Sequence, residues 1–496
     1  MNEPSEALPV SAESATATTQ ITTDNALRRS LGTWRLILMV IAAAAPMAAV
    51  IGIVPVAFAL GNGAGVPLTF VGVTIVLALF SVGYSAMSRR IVSTGAFYSY
   101  IAQGLGGAPG LGAAFVAVVS YTVFTAGGLG YVAAFTQTAV QQITGWNGSW
   151  IWFALGGGLA VAALGYRRID LSSRVIAVLL TAEFAILLCL VVSIIWHAGV
   201  HAFPTRALSV HAATSGTPGI AVMLAFTCFI GFESAALYSE ETHDPRRSVA
   251  RATYGAVGVI GAFYVLTTWV TVGAVGPDHI ADTAAQSTGN IYFDLTSTYL
   301  APWVSDVMAV LMATSLFATT LAIHNVASRY LFALGRQRCL PHQLGRIHHR
   351  HGSPYVGSAA VSVVTIATVL VCAAAAVPPL VGLGTVGIGF GTVGIIALQC
   401  LTSLAVVSYF HRVGTKVGYA TRTAPLLAFL GLFAAVALAA GKFDLLSGAS
   451  SRWVNSLPEL LAVVFAVGVG HALWIRKKRP IQFRQMTELM ANQPPE

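Results

Sequence analysis

The stretch Phe226–Ser248, FTCFIGFESAALYSEETHDPRRS, opens as an apolar run, yet it carries Glu233 directly after a Gly-Phe pair. A charged side chain at the centre of a bilayer costs about 2.5–3.5 kcal/mol on insertion scales, so such a residue faces a cavity or a partner rather than lipid. Gly231, two residues earlier, weakens any helix built from this run. A weakened helix and an ionisable group at the same depth mark an interrupted membrane span.

The whole chain supports that setting. Its 496 residues are 56% hydrophobic and only 9% charged, against about 25% charged in soluble domains. Apolar runs of about 20 residues recur throughout, each long enough for a hydrocarbon core of about 30 Å. In lipid such runs must be helical, because every backbone donor and acceptor needs a partner within its own segment. The fold class is therefore an all-α membrane protein.

Twelve spans are predicted: 34–60, 67–87, 111–139, 150–164, 175–195, 220–237, 256–275, 303–334, 356–377, 381–409, 424–440 and 457–474. The eighth is too long to lie wholly in lipid, so its end projects toward the cytoplasm. With an internal N-terminus, alternate loops should collect Lys and Arg. All of the 27 Lys and Arg except Arg206, Lys442 and Arg452 fall on that one side. The net charge of +9 is thus a topology signal. It forms no long basic tract with interleaved aromatics, so no nucleic-acid partner is expected, and no protein partner is evident. Both termini are expected in the cytoplasm, in a bacterial plasma membrane. Residues 1–30, rich in Ser, Thr and Ala, lack the features of a signal peptide and read as a disordered cytoplasmic tail. A second cytoplasmic tail is expected over 476–496.

Several smaller patterns carry no chemistry. The five cysteines are scattered without a CxxC pair, which indicates neither a disulfide framework nor a zinc site. Gly382–Gly387, GLGTVG, matches a dinucleotide fingerprint, but no predicted strand precedes it and no acidic ribose partner follows. It reads as a glycine-rich membrane helix with close neighbours. His342, His348, His349 and His351 lie in a basic loop without nearby acids or cysteines, and read as solvated surface rather than metal ligands. No cofactor and no metal are expected, and no nucleophile–base pair suggests an enzyme.

A second interruption lies in the first span, MVIAAAAPMAAVIGIVPVAFAL, which holds Pro46 deep inside. Proline has no N–H and disrupts the bond to the carbonyl four residues back, which predicts a freed Ala42 carbonyl at mid-membrane. The small residues around it leave room for a ligand or for another helix. Spans one and six occupy equivalent places if the first ten form two five-helix repeats, 31–200 and 217–410, followed by peripheral helices over 411–475. Interrupted helices at matching positions of two repeats point to a central binding site.

Four stretches, in order, carry a family resemblance: AAAAPMAAV, MSRRIVSTGAFYSYIAQGLGGAPGLGAAF, CFIGFESAALYSEETHDPRRS and NVASRYLFALGRQRCLP. The chain resembles the amino acid–polyamine–organocation transporter superfamily over nearly its whole length. The resemblance implies a leucine-transporter-type (LeuT) fold, with inverted 5+5 repeats, discontinuous helices one and six, and two peripheral C-terminal helices. It further implies an amino acid permease working by alternating access, with substrate held at the two breaks. Free N–H groups and carbonyls there complement the carboxylate and ammonium of an amino acid. The expected substrate contacts are Ala44, Ala45, Pro46, Met47 and Ala48, with Phe229, Ile230, Gly231 and Phe232. The chain departs from many relatives by holding Ala-Ala-Pro-Met-Ala in place of a Gly-Ser-Gly run, and Ala250 in place of a proline.

Glu183 lies in the fifth span with apolar neighbours on both sides. In some proton-coupled members of the superfamily a lysine resembles it in position, where a sodium ion would otherwise bind. Removal from water favours the neutral form of a carboxyl group, so Glu183 can carry a proton, and equally can serve as a permanently neutral hydrogen-bonding group. Glu183 and Glu233 are expected to couple a proton (H+) to transport or to gate it, while Glu240–Glu241 end the sixth helix at the inner surface. The expected activity is proton symport of an amino acid or related amine. The alternatives are exchange by the same fold, and a non-transporting nutrient sensor.

Overall fold

The computed structural model describes residues 32–91, 95–167, 173–287, 289–414, 418–444, 452–481, 483 and 487. The expected tail over 1–30 and most of that over 476–496 lie outside the described residues. Among the described residues there is no β-strand, and ten helical segments are long and apolar enough to cross a membrane.

The first of the ten, Thr33–Ser88, runs for 56 residues. Straight, it would measure about 84 Å, far more than the bilayer core. It is broken twice. Helix α1 (Thr33–Ala44) stops at Ala45, and α2 (Pro46–Ala48) continues through π-helical turns to Asn62. The chain then turns through Gly61, which has non-helical angles (φ −94°, ψ −121°), and Gly63, at φ +52°. Asn62, buried in this turn, donates to the Thr69 hydroxyl at 2.8 Å and to the Ala213 carbonyl at 2.9 Å. Helix α3 (Val66–Ser88) leaves the turn. This one segment therefore contains the first two spans expected from the sequence.

Helix α4 (Ala96–Leu105) is short, and α5 (Gly107–Thr144) is the longest element at 38 residues. Helices α6 (Trp150–Arg167) and α7 (Ser173–Ala198) complete the first half; α6, the fourth expected span, is not among the ten candidates. Helix α8 (Pro218–Phe229) is followed by a 3₁₀ segment, Phe232–Glu241, and by α9 (Pro245–Val275). Asp244 caps α9, its carboxylate accepting the Arg247 N–H at 3.3 Å. Two short helices, α10 (Ile280–Gln286) and α11 (Ile291–Tyr299), occupy what the sequence reading leaves as a loop. Then come α12 (Pro302–Arg336), α13 (Tyr355–Ala374), α14 (Val386–Arg412), α15 (Ala424–Gly441) and α16 (Leu457–Lys478).

Helix α5 is the central post, packed against α12, α14 and α16. Its approach to α14 depends on glycine. A Cβ on Gly127 would lie 2.7 Å from the Ile388 nitrogen, and one on Gly130 would lie 2.6 Å from the Pro379 carbonyl oxygen. Residues 382–387 accordingly form a π-to-α helical entry into α14, packed on α5, as the glycine-rich reading expects.

Candidate functional site

The break in the first segment is made by Ala45, at φ 42° and ψ 72°. A left-handed alanine costs about 1–2 kcal/mol, and Pro46 follows at the first position of α2, where its missing N–H costs no helical bond. This corrects the reading of Pro46 as a residue that frees the Ala42 carbonyl. That carbonyl accepts the Ala45 N–H at 3.1 Å and the Thr319 hydroxyl at 3.4 Å. The helix stops one residue before the proline, and the cap satisfies the carbonyl that a mid-helix proline would orphan.

The second break lies at Ile230 and Gly231, the latter at φ 117° and ψ −25°. The two breaks touch. A Cβ added to Gly231 would stand 2.6 Å from the Ala43 carbonyl carbon, 2.8 Å from its oxygen and 2.8 Å from the Ala44 nitrogen. Only glycine permits both the backbone angles and the contact. Two helices interrupted 186 residues apart in sequence thus meet backbone to backbone.

Each break holds a glutamate against its exposed N–H groups. The first donor of α2 is Met47, since Pro46 has none, and Glu183 from α7 lies beside the Met47 N–H. The Glu183 carboxylate also accepts the Ser315 hydroxyl of α12 at 3.0 Å. Glu183 therefore joins the first break, α7 and α12. At the second break, one Glu233 oxygen accepts the Gly231 N–H at 3.0 Å and the other accepts the Tyr121 hydroxyl of α5 at 2.7 Å. Both glutamates are buried. An acidic group at a helix start is favoured by the unpaired donors and by the helix dipole, so each carboxyl has a local reason to sit where it does. The partners of Glu233 are thus its own backbone and α5. The side chains of Glu240 and Glu241 lie outside the described residues.

The contact also borders a cavity of about 40 Å³, lined among others by Ala44, Ala45, Ala48 and Ile230 from the two breaks. By volume it holds about three water-sized molecules. Tyr131, Phe124 and Ile388 close its sides, and Thr227, Thr319 and Thr320 contribute its polar groups. The other expected contact residues lie around it. Pro46 and Met47 belong to the start of α2, and Gly231 to the helix–helix contact. Phe229 packs on Phe70 and Tyr264, and Phe232 packs edge-on against Phe80 at 5.9 Å. Among the described residues no charged side chain lines the cavity.

The sequence reading missed Tyr121, Tyr84 and Ser315. Tyr121 stacks on Tyr330 at 5.5 Å, and Tyr84 donates to the Glu233 backbone carbonyl at 2.9 Å. A tyrosine in an apolar run signals that its hydroxyl needs a partner, but nothing local says which one. Tyr121→Phe removes one of the two donors to Glu233. Leaving a buried carboxyl oxygen unpaired costs about 1–3 kcal/mol, and transport by this variant is expected to fall about 5- to 100-fold. Wild-type initial rates of uptake would show that the bond does not matter.

Comparison with known proteins fits this geometry. The profile of the amino acid permease family matches residues 31–488. The chain belongs to that family. It is 26% identical over 208 residues to an uncharacterized transporter of Mycobacterium tuberculosis (strain H37Rv), covering 42% of this chain and 43% of the relative. The branched-chain amino acid permease BcaP of Lactococcus lactis is 23% identical over 362 residues, covering 68% of this chain and 75% of the relative. BcaP of Bacillus subtilis is 24% identical over 144 residues, covering 28% and 29%. The chain thus spans less than half the length of the mycobacterial relative it matches. The family and the ten apolar helical segments indicate an integral multi-pass membrane protein.

Proposed function

We propose that this permease is a secondary active transporter that carries a neutral aliphatic amino acid by alternating access, with a proton as the coupling ion. The observation that carries the reading is the backbone contact of the two broken helices beside an apolar cavity. The carboxylate and ammonium of an amino acid are matched by the N–H groups and carbonyls at the breaks, and its side chain by the small and aliphatic lining. A charged side chain would enter a lining without a counter-charge, at a cost of several kcal/mol. The named substrates of the BcaP relatives are of the same apolar kind. The cavity is far too small for an amino acid, so binding requires the broken segments to part, as alternating access demands. The proposed substrate contacts remain Ala44, Ala45, Pro46, Met47 and Ala48 with Phe229, Ile230, Gly231 and Phe232.

In this reading the ten candidate segments form twelve spans, counting two in Thr33–Ser88 and adding α6. They build two inverted five-helix repeats of the leucine-transporter type, with both termini in the cytoplasm of a bacterium. The left-handed breaks at Ala45 and Gly231 favour that symmetry.

Uptake into proteoliposomes, screened over amino acids and amines with pH or sodium gradients, tests the proposal. Leucine, isoleucine, valine or alanine should outcompete lysine, glutamate and putrescine by more than about 100-fold, which corresponds to about 2.7 kcal/mol. Equal uptake of a charged amine would overturn the substrate class. Uptake that requires internal substrate and ignores a pH gradient would make the protein an exchanger.

A further inference from the structure

Two further cavities lie away from the broken helices, toward the end of the bundle where Lys and Arg collect. One, of about 660 Å³, is bounded by Arg336 and Arg338 at the end of α12, by Arg346, His348 and His349 of the following loop, and by aromatic residues that include Tyr166 of α6. Among the described residues its lining holds three arginines and three histidines. Cations at a helix end complement the helix dipole, which accounts for Arg336 alone. It does not account for Arg346, His348 and His349, which come from the loop and converge on the same space.

This wall is built rather than loose. The His348 ring nitrogen Nδ1 accepts the N–H groups of Arg350 and His351 at 3.2 and 3.3 Å, which leaves Nε2 as the ring's N–H donor. The Gly352 N–H donates to the His348 carbonyl at 2.7 Å, and the Ser353 hydroxyl ties the loop to the Tyr166 carbonyl of α6 at 2.6 Å. The ring of Tyr166 meets those of His348 and Tyr355 edge-on, at 5.4 and 5.9 Å. Arg338 stands in the left-handed region, at φ 56°, in the position after a helix where glycine is the usual choice. The chain keeps an arginine there despite the conformational cost.

Tyr166 has a second face, on a groove of about 610 Å³ between α6 and α13. The groove is almost wholly apolar: Ala162, Ala163 and Ala367 make its floor shallow, and Val363, Ile366 and Leu370 form its sides. Val363 and Leu370 are exposed on the outer surface of the bundle, which faces lipid. A cationic, aromatic cavity therefore opens beside an apolar groove, with Tyr166 shared between them. That pairing has the chemistry of one amphiphile: a phosphodiester head group and an acyl chain.

We propose that this is a binding site for one anionic phospholipid, its phosphate between Arg338, Arg346 and His348 and one acyl chain along the α6–α13 groove. Arg346 supplies a fork of donors suited to phosphate. Bound there, the lipid ties the loop after α12 to α6 and α13.

The test uses delipidated protein in detergent, titrated with phosphatidylglycerol, with phosphatidylethanolamine and with inorganic pyrophosphate, bound species being counted by native mass spectrometry. The wild type should retain one phosphatidylglycerol at concentrations where phosphatidylethanolamine does not bind. The variant R338G/R346Q should lose at least about tenfold in that affinity; R338G by itself relaxes the backbone at a left-handed position, so a folding defect is not its expected effect. A367F fills the groove without changing any charge, and should weaken phosphatidylglycerol binding severalfold while leaving pyrophosphate binding as it is. Equal affinity of wild type and R338G/R346Q for phosphatidylglycerol would overturn the site. Pyrophosphate binding as tight as that of the lipid, with A367F indistinguishable from wild type, would overturn the lipid and leave a soluble phosphate compound as the ligand.

Discussion

Gly231→Ala is expected to abolish transport. The added methyl would meet the backbone of Ala43 and Ala44 at 2.6–2.8 Å, and backbone atoms cannot rotate out of the way as a side chain can. The residue would also have to hold φ 117°, a conformation that side chains other than hydrogen rarely adopt. Left-handed strain of about 1–2 kcal/mol and overpacking of about 1–3 kcal/mol both fall on the backbone contact where the two breaks meet. The helices must separate there, and the cavity beside them changes shape. Gly255→Ala on α9 is the matched control: nothing lies within 4 Å of its added Cβ, and alanine for glycine within a helix gains up to about 1 kcal/mol. Initial uptake rates and thermal stability in detergent, measured for both variants, separate a local effect at the break from a general effect of added bulk. Normal transport by Gly231→Ala would show that the contact between the breaks is not required.

Glu183→Gln is expected to abolish accumulation driven by a pH gradient while counterflow exchange stays within about twofold of wild type. The substitution is close to neutral in geometry. A glutamine oxygen can still face the Met47 N–H, and the Ser315 hydroxyl, which donates to the carboxylate at 3.0 Å, can turn to accept from the amide nitrogen. What glutamine cannot do is bind and release a proton. Glu183→Ala differs in kind, because it leaves the Ser315 hydroxyl without its buried partner and removes the acceptor beside the start of α2, at about 1–3 kcal/mol; it should impair exchange as well as accumulation. The pair of variants thus separates proton carriage from support of the break. Equal pH-driven accumulation by Glu183→Gln and the wild type would sink the coupling role and leave Glu183 as a helix cap from a neighbouring helix.

The membrane setting, the helical class and the two interrupted spans were legible in the sequence because each rests on a local rule. Apolar runs of sufficient length must be helical in lipid, a glycine or a proline weakens a helix where it stands, and a carboxylate in an apolar run must find a partner. The family resemblance implied contacts at residues 44–48 and 229–232, around the two interruptions that the local rules mark, and the structure brings the two groups together. The details at Pro46 were not legible. Proline is equally compatible with a kink inside a helix and with the start of a new one, and the choice fell to the left-handed Ala45 and to the Thr319 hydroxyl, 277 residues beyond the Ala42 carbonyl to which it donates.

The same division separates the glutamates from their partners. The sequence alone determined that Glu183 and Glu233 lie in membrane spans, because burial of an ionisable group is visible wherever its neighbours are apolar. Only the tertiary structure decided what each one meets: Glu183 the Ser315 hydroxyl, beside the start of another helix, Glu233 its own Gly231 together with Tyr121. Likewise the histidines after α12 read as solvated surface in one dimension, and line a cavity only once α6 and α13 close beside them. The physical reason is common to all three. Hydrophobicity and backbone propensity act between neighbours in the chain, whereas a hydrogen bond or a cavity wall depends on which faces of distant helices meet.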